Sequence, residues 1–478
     1  MDNKTHPMWI NGEAVYPDRT FQVFDKYTNE PIANVVTGDE THIRAALECA
    51  RRVQPRVAAM SVEERLQIIE RWIDLVKARQ KEFTELTVAE LGRPIKVVDP
   101  FFDLGLSIPR QYRDYIKAIY GSVDNLLKPR MAPLPGKRAY YKWEPKGVLG
   151  LCLPANDSLN LLWEKVPPMF IAGNTIVAKA STSTPLGALL AVSLARQAGF
   201  PDGSLNIVVG PSERLAKALI ADPISDYVQF VGRADHGVEL AKVAAENYTE
   251  FDGEYEGNDW VVILADAEVE NAAQAIVAGL TINSGQICMN IQGVVADASI
   301  CEALVDRIVS LLKQFKTGDP RDPETDLGPL ISPGQAERAL QQVNAAIGQG
   351  AKLLMGGYHI GSCLEPTVVI DVEPDMALVR EESFAPVLWI RKASGLEEIL
   401  TWAKLNKHRL TATIFSRDIQ RAERIANRLN FSRVVINDNP TTVNHPFHPW
   451  GGLGISGKGG MMPWFERYTN KKFVEVRE

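Results

Sequence analysis

The sequence predicts an α/β fold in which helices cover both faces of a parallel sheet. Apolar runs at 148–153, 175–178, 205–209 and 227–231 alternate with stretches of helical character. Runs that are apolar on both faces are typical of strands buried inside a parallel sheet. A second series of strands and helices begins near 260–264. With 478 residues, the chain is long enough to form two or more domains.

The N-terminal part is predicted to contain a long helix. Ser61 and Glu64 have the spacing of a capping box, which marks a helix start. An apolar stripe at helical spacing follows, formed by Leu66, Ile69, Ile73 and Val76. The run Gly92-Arg93-Pro94 is predicted to end the helical pattern.

The helical sequence pattern is interrupted between about residues 120 and 145. Prolines and a glycine interrupt it at Pro129, Pro133, Pro135 and Gly136. The flanking segment 139–143 has the alternation of a strand. The residues alone predict a surface hairpin here.

Composition and charge exclude several functional classes. The net charge of −7 gives no sign of a basic face for nucleic acid. No apolar run reaches the roughly 18 residues that a membrane span needs, and Met1–His6 is not followed by an apolar secretory core. The five cysteines show no CxxC spacing, which predicts reduced thiols in the cytoplasm and neither a disulfide framework nor a zinc site. His445 and His448 are interpreted as loop residues, so no metal is expected.

Cys288 and Glu254 are the strongest candidates for chemistry. Cys288 follows Gly285 and Gln286, where the backbone can come close and present N–H donors. A reactive cysteine acts as the thiolate, so its surroundings must stabilise negative charge. On this segment alone, an inert buried cysteine is the competing interpretation.

Three further candidate binding positions follow predicted strands. Asn156, Lys179 and Gly232 fall at the carboxyl ends of strands, where ligands gather in parallel sheets. There is no GxGxxG motif, but the turn 232–237 is bracketed by glycines and opens a helix. A helix N-terminus can receive a phosphate group.

Five motifs in order resemble those of the NAD(P)-dependent, hydrolytic aldehyde dehydrogenase superfamily. They are Pro154-Ala155-Asn156, the run 173–179 ending in Lys179, the run 254–258, the run 382–386 and the run 451–459. The resemblance extends from about Trp9 over nearly the whole chain. It implies an aldehyde-dehydrogenase-like fold with a Rossmann-type cofactor domain, an α/β catalytic domain and a β-hairpin oligomerisation element. The implied limits are 1–121 and 146–256 for the cofactor domain, 257–460 for the catalytic domain, and 122–145 with 461–478 for the oligomerisation element.

The resemblance implies oxidation of an aldehyde to a carboxylic acid. Cys288 would form a thiohemiacetal and then a thioester. Asn156 and the N–H of Cys288 would stabilise the oxyanion. Glu254 would activate the hydrolytic water, with a pKa raised toward neutrality by an apolar pocket.

Further site residues are carried over from the family pattern. The implied cofactor contacts are Lys179, Thr182, Gly232, Arg233, Glu382 and Phe384. The implied substrate-lining residues are Glu164, Ile287, Met289 and Trp450. Relatives often have a glutamate at the position of Thr182, where it would repel a 2′-phosphate, so both NAD and NADP are expected as cofactors.

The chain departs from the family pattern at three positions, and two alternative functions stay open. Glu256 replaces a glycine, Arg233 replaces a small hydroxyl residue, and Glu164 replaces an aromatic residue. The alternatives are a CoA-acylating or phosphate-linked reductase and a non-catalytic binding protein of this fold. The expected partners are a small-molecule aldehyde and further copies of the chain in a homodimer or homotetramer, without nucleic acid or membrane.

Overall fold

Two sheets of mostly parallel strands dominate the computed structural model, which describes residues 5–441, 451–458 and 463–477. Strands of the first part are β1 (Thr5–His6), β2 (Met8–Ile10), β3 (Glu13–Val15), β4 (Thr20–Phe24), β5 (Pro31–Val36), β6 (Arg130–Ala132), β7 (Arg138–Pro145), β8 (Val148–Cys152), β9 (Thr175–Lys179), β10 (Leu205–Val208), β11 (Tyr227–Val231) and β12 (Glu250–Glu254). Strands of the second part are β13 (Asp259–Ile263), β14 (Ile291–Asp297), β15 (Lys352–Met355), β16 (His359–Ile360), β17 (Cys363–Leu364), β18 (Thr367–Ile370), β19 (Val387–Ala393), β20 (His408–Arg409), β21 (Thr411–Phe415), β22 (Arg433–Ile436), β23 (Leu453–Gly454), β24 (Gly457–Lys458) and β25 (Thr469–Val476).

Helices lie between these strands and cover the sheets. Those of the first part are α1 (Glu40–Ala59), α2 (Val62–Ala78), α3 (Gln80–Leu91), α4 (Ile95–Tyr120), α5 (Ser158–Ile171), α6 (Leu186–Ser193), α7 (Ala195–Ala198), α8 (Ser212–Ala221) and α9 (Ala234–Asn247). Those of the second part are α10 (Val269–Thr281), α11 (Cys301–Leu312), α12 (Pro333–Gly348), α13 (Ala377–Arg380), α14 (Leu396–Leu405), α15 (Ile419–Ala426) and α16 (Trp464–Arg467).

The first sheet has the strand order β24-β12-β11-β8-β9-β10-β2-β3. Its five central strands, from β12 to β10, run parallel. Every residue of β8, β9 and β10 is buried, because helices pack on both faces. This agrees with the apolar runs in the sequence.

The second sheet has the order β15-β18-β19-β14-β13-β21-β22 and is parallel from β18 to β22. Separate apolar clusters cover its two faces. Trp260 and Trp389 meet edge to face on one of them, with ring centroids 4.8 Å apart. The connection between β12 and β13 therefore leads from one sheet to the other, whereas the domain limits themselves stay a prediction.

The capping box at the start of α2 is present. The Glu64 N–H donates to Ser61 Oγ at 3.2 Å, and the Ser61 N–H donates to Glu64 Oε2 at 2.7 Å. The predicted long helix, however, is two helices, α2 and α3, which are separated at Arg79. Gly92 ends α3 in the left-handed conformation, with φ of 79°.

A third, antiparallel sheet joins the C-terminal segment to the predicted hairpin. Its strand order is β25-β7-β6, and β25 pairs with β7 along its full length. Met131 and Phe473 expose large apolar side chains on this sheet.

Across residues 5–441, 451–458 and 463–477, no helix combines the length and apolar character of a membrane span. In the same ranges, no group of three or more His, Cys, Asp or Glu side chains is arranged to hold a metal ion.

Candidate active site

A cavity of about 660 Å³ lies at the carboxyl ends of the parallel strands of the first sheet. Most of the predicted site residues in the described ranges line it: Asn156, Glu164, Gly232, Arg233, Glu254, Ile287, Cys288, Met289, Glu382 and Phe384. Ligands bind at this edge in open α/β sheets because the strand ends and helix N-termini converge there. Trp450, the remaining predicted substrate-lining residue, lies outside the described residues.

The loop before Cys288 has an unusual backbone. Asn283, Ser284 and Gly285 have consecutive positive φ values of 50°, 52° and 76°. Left-handed backbone is costly for residues other than glycine, and it persists only where surrounding contacts hold it. A Cβ on Gly285 would overlap the backbone of Ala385, so glycine is required there.

Hydrogen bonds from Arg93 and Asn156 hold this loop. Arg93 is buried, and its Nε donates to Asn283 Oδ1 at 3.1 Å. Asn283 Nδ2 donates to the carbonyl oxygen of Asn156 at 3.1 Å. In return, Asn156 Nδ2 donates to the carbonyl oxygen of Gln286 at 3.0 Å. The Asn156 amide is therefore fixed beside the segment that carries Cys288, with its second N–H left to donate elsewhere.

Gly257 packs against the Cys288 backbone. A Cβ on Gly257 would overlap the carbonyl oxygen of Cys288. The Gly257 N–H donates to Glu382 Oε1 at 3.0 Å, so this glycine also links the cysteine loop to Glu382.

Replacing Gly257 by alanine should displace Cys288 and lower the rate of its alkylation by iodoacetamide. The added methyl group has no space, and the backbone on both sides has to move. Gly348→Ala is a matched control, because nothing lies within 4 Å of its added Cβ. Peptide mass spectrometry measures the alkylation. Equal rates at Cys288 in the two variants would show that this contact does not position the cysteine.

Glu254 lies in a buried network of charges. It is the last residue of β12, paired through the backbone with Val231 on one side and Gly457 on the other. Its Oε1 is 2.8 Å from Lys165 Nζ and 3.5 Å from Arg467 Nη1. Lys165 Nζ is also 2.8 Å from Glu164 Oε1.

This network corrects the expected protonation behaviour of Glu254. Burial raises the pKa of Glu254, but Lys165 and Arg467 outweigh burial and bring the pKa below its ordinary value. The expectation of a pKa raised toward neutrality was therefore wrong, because it considered the apolar surroundings without the two cations. Glu254 is held as a carboxylate.

The surroundings of Cys288 disfavour its ionised form, whereas those of Glu254 favour the carboxylate. Burial raises the pKa of its thiol well above the ordinary value, and the nearby carboxylates of Glu254 and Glu382 raise the pKa further. The expected stabilisation of a thiolate is thus not supplied by the side chains around it.

One end of the cavity contains a helix N-terminus. Gly232 follows β11 directly, and α9 begins at Ala234. A helix start of this kind suits a pyrophosphate group. Glu256 Oε1, however, already accepts the Ala234 N–H at 3.3 Å, and Arg233 forms an exposed ion pair with Asp235 at 2.9 Å. The residues fit a dinucleotide, which would have to share the first amide of the helix with Glu256.

Lys179 and Thr182 lie outside the residues that line this cavity. Lys179 ends β9 and is 6% exposed, and burial lowers the pKa of its ammonium group. Thr182 is half-buried in the loop that follows. Both stay predicted cofactor contacts.

The sequence reasoning missed Lys165, Arg467 and Arg93 as site residues. Lys165 had a local signal, since it is a charged residue inside the apolar run 161–166. No sequence pattern connected Arg467 with the site, because this residue reaches Glu254 from the C-terminal end of the chain. Arg93 was considered only as part of a helix stop.

Comparison with known proteins gives consistent matches. A sequence model of the aldehyde dehydrogenase family matches residues 9–474. The chain is 28% identical to 3-sulfolactaldehyde dehydrogenase of Priestia megaterium over 99% of this chain and 97% of that protein. It is 31% identical to the NADP/NAD-dependent aldehyde dehydrogenase PuuC of Escherichia coli over 98% of this chain and 95% of that protein. The NAD+ complex of an aldehyde dehydrogenase from Bacillus cereus superposes with a TM-score of 0.93 at 30% identity, covering 99% of this chain and 97% of that chain. These matches confirm the predicted fold class.

Proposed function

This chain belongs to the aldehyde dehydrogenase family and is an NAD(P)-dependent enzyme that oxidises an aldehyde to a carboxylic acid, and on that premise we propose that Cys288, Asn156 and Glu254 carry its chemistry. The observation that supports these roles is their convergence on one cavity. The three residues come from different elements and have different chemical capacities. Each suits one step of the reaction.

Cys288 is the proposed nucleophile. Its Sγ forms a bond to the aldehyde carbon while the carbonyl π electrons move to the oxygen. Because burial and nearby carboxylates raise the pKa of the thiol, its proton must pass to water or to a carboxylate of the cavity during or before this addition. Asn156 Nδ2, fixed by the Gln286 carbonyl, has a second N–H to donate to the developing oxyanion.

Gly232, Arg233 and Glu382 would hold a dinucleotide in this cavity, and its nicotinamide would supply a hydride acceptor. Loss of hydride from the thiohemiacetal carbon would leave that carbon joined to Cys288 as a thioester. Glu254 then takes a proton from water as the water oxygen bonds to the thioester carbon. The carbon–sulfur bond breaks, the acid leaves and the thiolate is restored. Lys165 and Arg467 hold Glu254 ionised and therefore able to accept that proton.

Oxygen labelling tests this assignment against the reductase alternatives. In heavy-oxygen water the carboxylic acid should carry at least one labelled oxygen, which comes from the hydrolytic water, with or without CoA and phosphate present. Formation of an acyl-CoA or acyl phosphate in place of the labelled acid would identify the alternative reaction.

Replacing Thr182 by glutamate should shift cofactor preference toward NAD. Repulsion between a carboxylate and a 2′-phosphate a few Å apart is worth about 1–4 kcal/mol in a partly solvated site. That energy changes the NADP-to-NAD ratio of kcat/KM by about fivefold or more. Thr182→Gln is the matched control, which adds length without charge. An unchanged ratio in the glutamate variant would remove Thr182 from the ribose site.

Separate observations support the proposed assembly and the proposed compartment. Exposed Met131 and Phe473 on the third sheet support a homodimer or homotetramer formed through this sheet. Analytical ultracentrifugation measures this directly. All five cysteines are free, which supports the reducing cytoplasm as the compartment.

A further inference from the structure

One face of α5 and the residue before it present polar side chains to the cavity. Asp157, Asn160 and Glu164 are spaced so that they lie on the same side of the helix, and all three line the cavity. The neighbouring residues Leu162, Trp163 and Val166 are buried in the core. This wall is therefore polar although the helix itself is largely apolar.

The described residues that line the cavity are strongly acidic. Their carboxyl groups belong to Asp157, Glu164, Asp235, Glu254, Glu256, Glu381 and Glu382. Among the same described residues, the guanidinium groups are those of Arg233 and Arg338. Arg233 pairs with Asp235 at 2.9 Å, and Arg338 donates to Gln335.

The cations behind this wall are shared among several carboxylates. Arg93 Nη2 lies 3.3 Å from Asp157 Oδ2. Lys165 divides its ammonium group between Glu164 and Glu254, and Arg467 Nη1 lies 2.9 Å from Asp252 Oδ2 as well as near Glu254. Two cations, Lys165 and Arg467, therefore serve three carboxyl groups, which leaves one carboxyl group in excess. Burial raises the pKa of Glu164, and a cation bound beside it would favour its ionised form.

Glu164 is close to the proposed reaction centre. Its Oε1 and Glu254 Oε1 are each 2.8 Å from Lys165 Nζ, so the two oxygens are separated by at most twice that distance. The Glu164 side chain is 16% exposed and reaches the cavity. Its second carboxylate oxygen is available to a substrate.

We infer that the aldehyde is a short amino aldehyde whose ammonium group binds Glu164, an inference that rests on the proposed function. A cation entering this cavity gains attraction from the excess carboxylate, and its hydrogen-bond donors match an acceptor. An aldehyde carrying a carboxylate or sulfonate meets repulsion in the same place. The acidic wall thus selects substrates by charge.

The test compares kcat/KM for β-aminopropionaldehyde, butyraldehyde and succinic semialdehyde with the full enzyme. The cationic aldehyde should exceed the neutral one by about tenfold or more, and the anionic one should be the poorest substrate. Glu164→Gln keeps the size of the side chain and removes its charge. In this variant the ratio of cationic to neutral substrate should fall to about threefold or less.

Control measurements distinguish failure of this substrate inference from failure of the proposed function. Glu250→Gln removes an exposed carboxylate of β12 that does not line the cavity, and it should retain the cationic-to-neutral ratio of the parent. A general loss of kcat in Glu164→Gln leaves the ratio interpretable, because all three substrates share the chemical steps. Oxidation that favours the neutral or anionic aldehyde, or a ratio unchanged by Glu164→Gln, overturns this inference and leaves the proposed function standing. Failure to oxidise any of the three with NAD or NADP counts against both.

Discussion

Replacing Cys288 by serine should lower kcat/KM for aldehyde oxidation by about 10⁴-fold or more. A serine hydroxyl is a poor nucleophile unless a base removes its proton, and it ionises far less readily than a thiol. The rate of cofactor reduction in the presence of a panel of aldehydes measures the loss.

Cys49→Ser is the matched control for this substitution. Cys49 is also a free cysteine of intermediate burial, but it lies in α1, away from the residues that line the cavity. Its variant should retain the activity of the parent. Near-parental activity in Cys288→Ser would remove Cys288 from the nucleophile role.

Replacing Glu254 by glutamine should slow hydrolysis of the thioester more than its formation. An amide cannot accept the proton of the attacking water, and loss of such a base lowers the rate by about 10²–10⁴-fold. We therefore expect a burst of reduced cofactor in the first turnover, followed by slow steady turnover. Stopped-flow measurement resolves the two phases.

The control for this variant is Glu250→Gln. Glu250 begins the same strand, β12, but pairs with Lys146 at the surface. Its substitution should change neither the burst nor the steady rate. A steady rate in Glu254→Gln equal to that of the parent would indicate that another carboxylate, such as Glu256, is the base.

The fold was predictable because the sequence patterns that indicate its strands and helices are local. The apolar runs at β8 and β9 match strands buried on both faces, and the capping box of Ser61 lies at the start of α2. The break at Arg79 was not predictable, since arginine is a good helix former. It follows from tertiary packing, because Phe83 on α3 is buried against Trp163.

The three proposed catalytic residues were predictable from the sequence, whereas the charges around them were not. Cys288, Glu254 and Asn156 were identified from motifs, and the structure brings them to one cavity. The direction of the Glu254 pKa shift depends on Lys165 and Arg467, which are remote in sequence from Glu254 and from each other. A sequence pattern does not show which distant cation will meet a buried carboxylate.

Detection of the acyl-enzyme is the most direct test of the proposed chemistry. Glu254→Gln is mixed with aldehyde and NAD(P), quenched in acid during the burst, digested and analysed by peptide mass spectrometry. The proposed chemistry predicts an acyl group on the peptide that contains Cys288, with its mass set by the aldehyde. Oxidation without an acyl group on that peptide, or with the group on another cysteine, would contradict it.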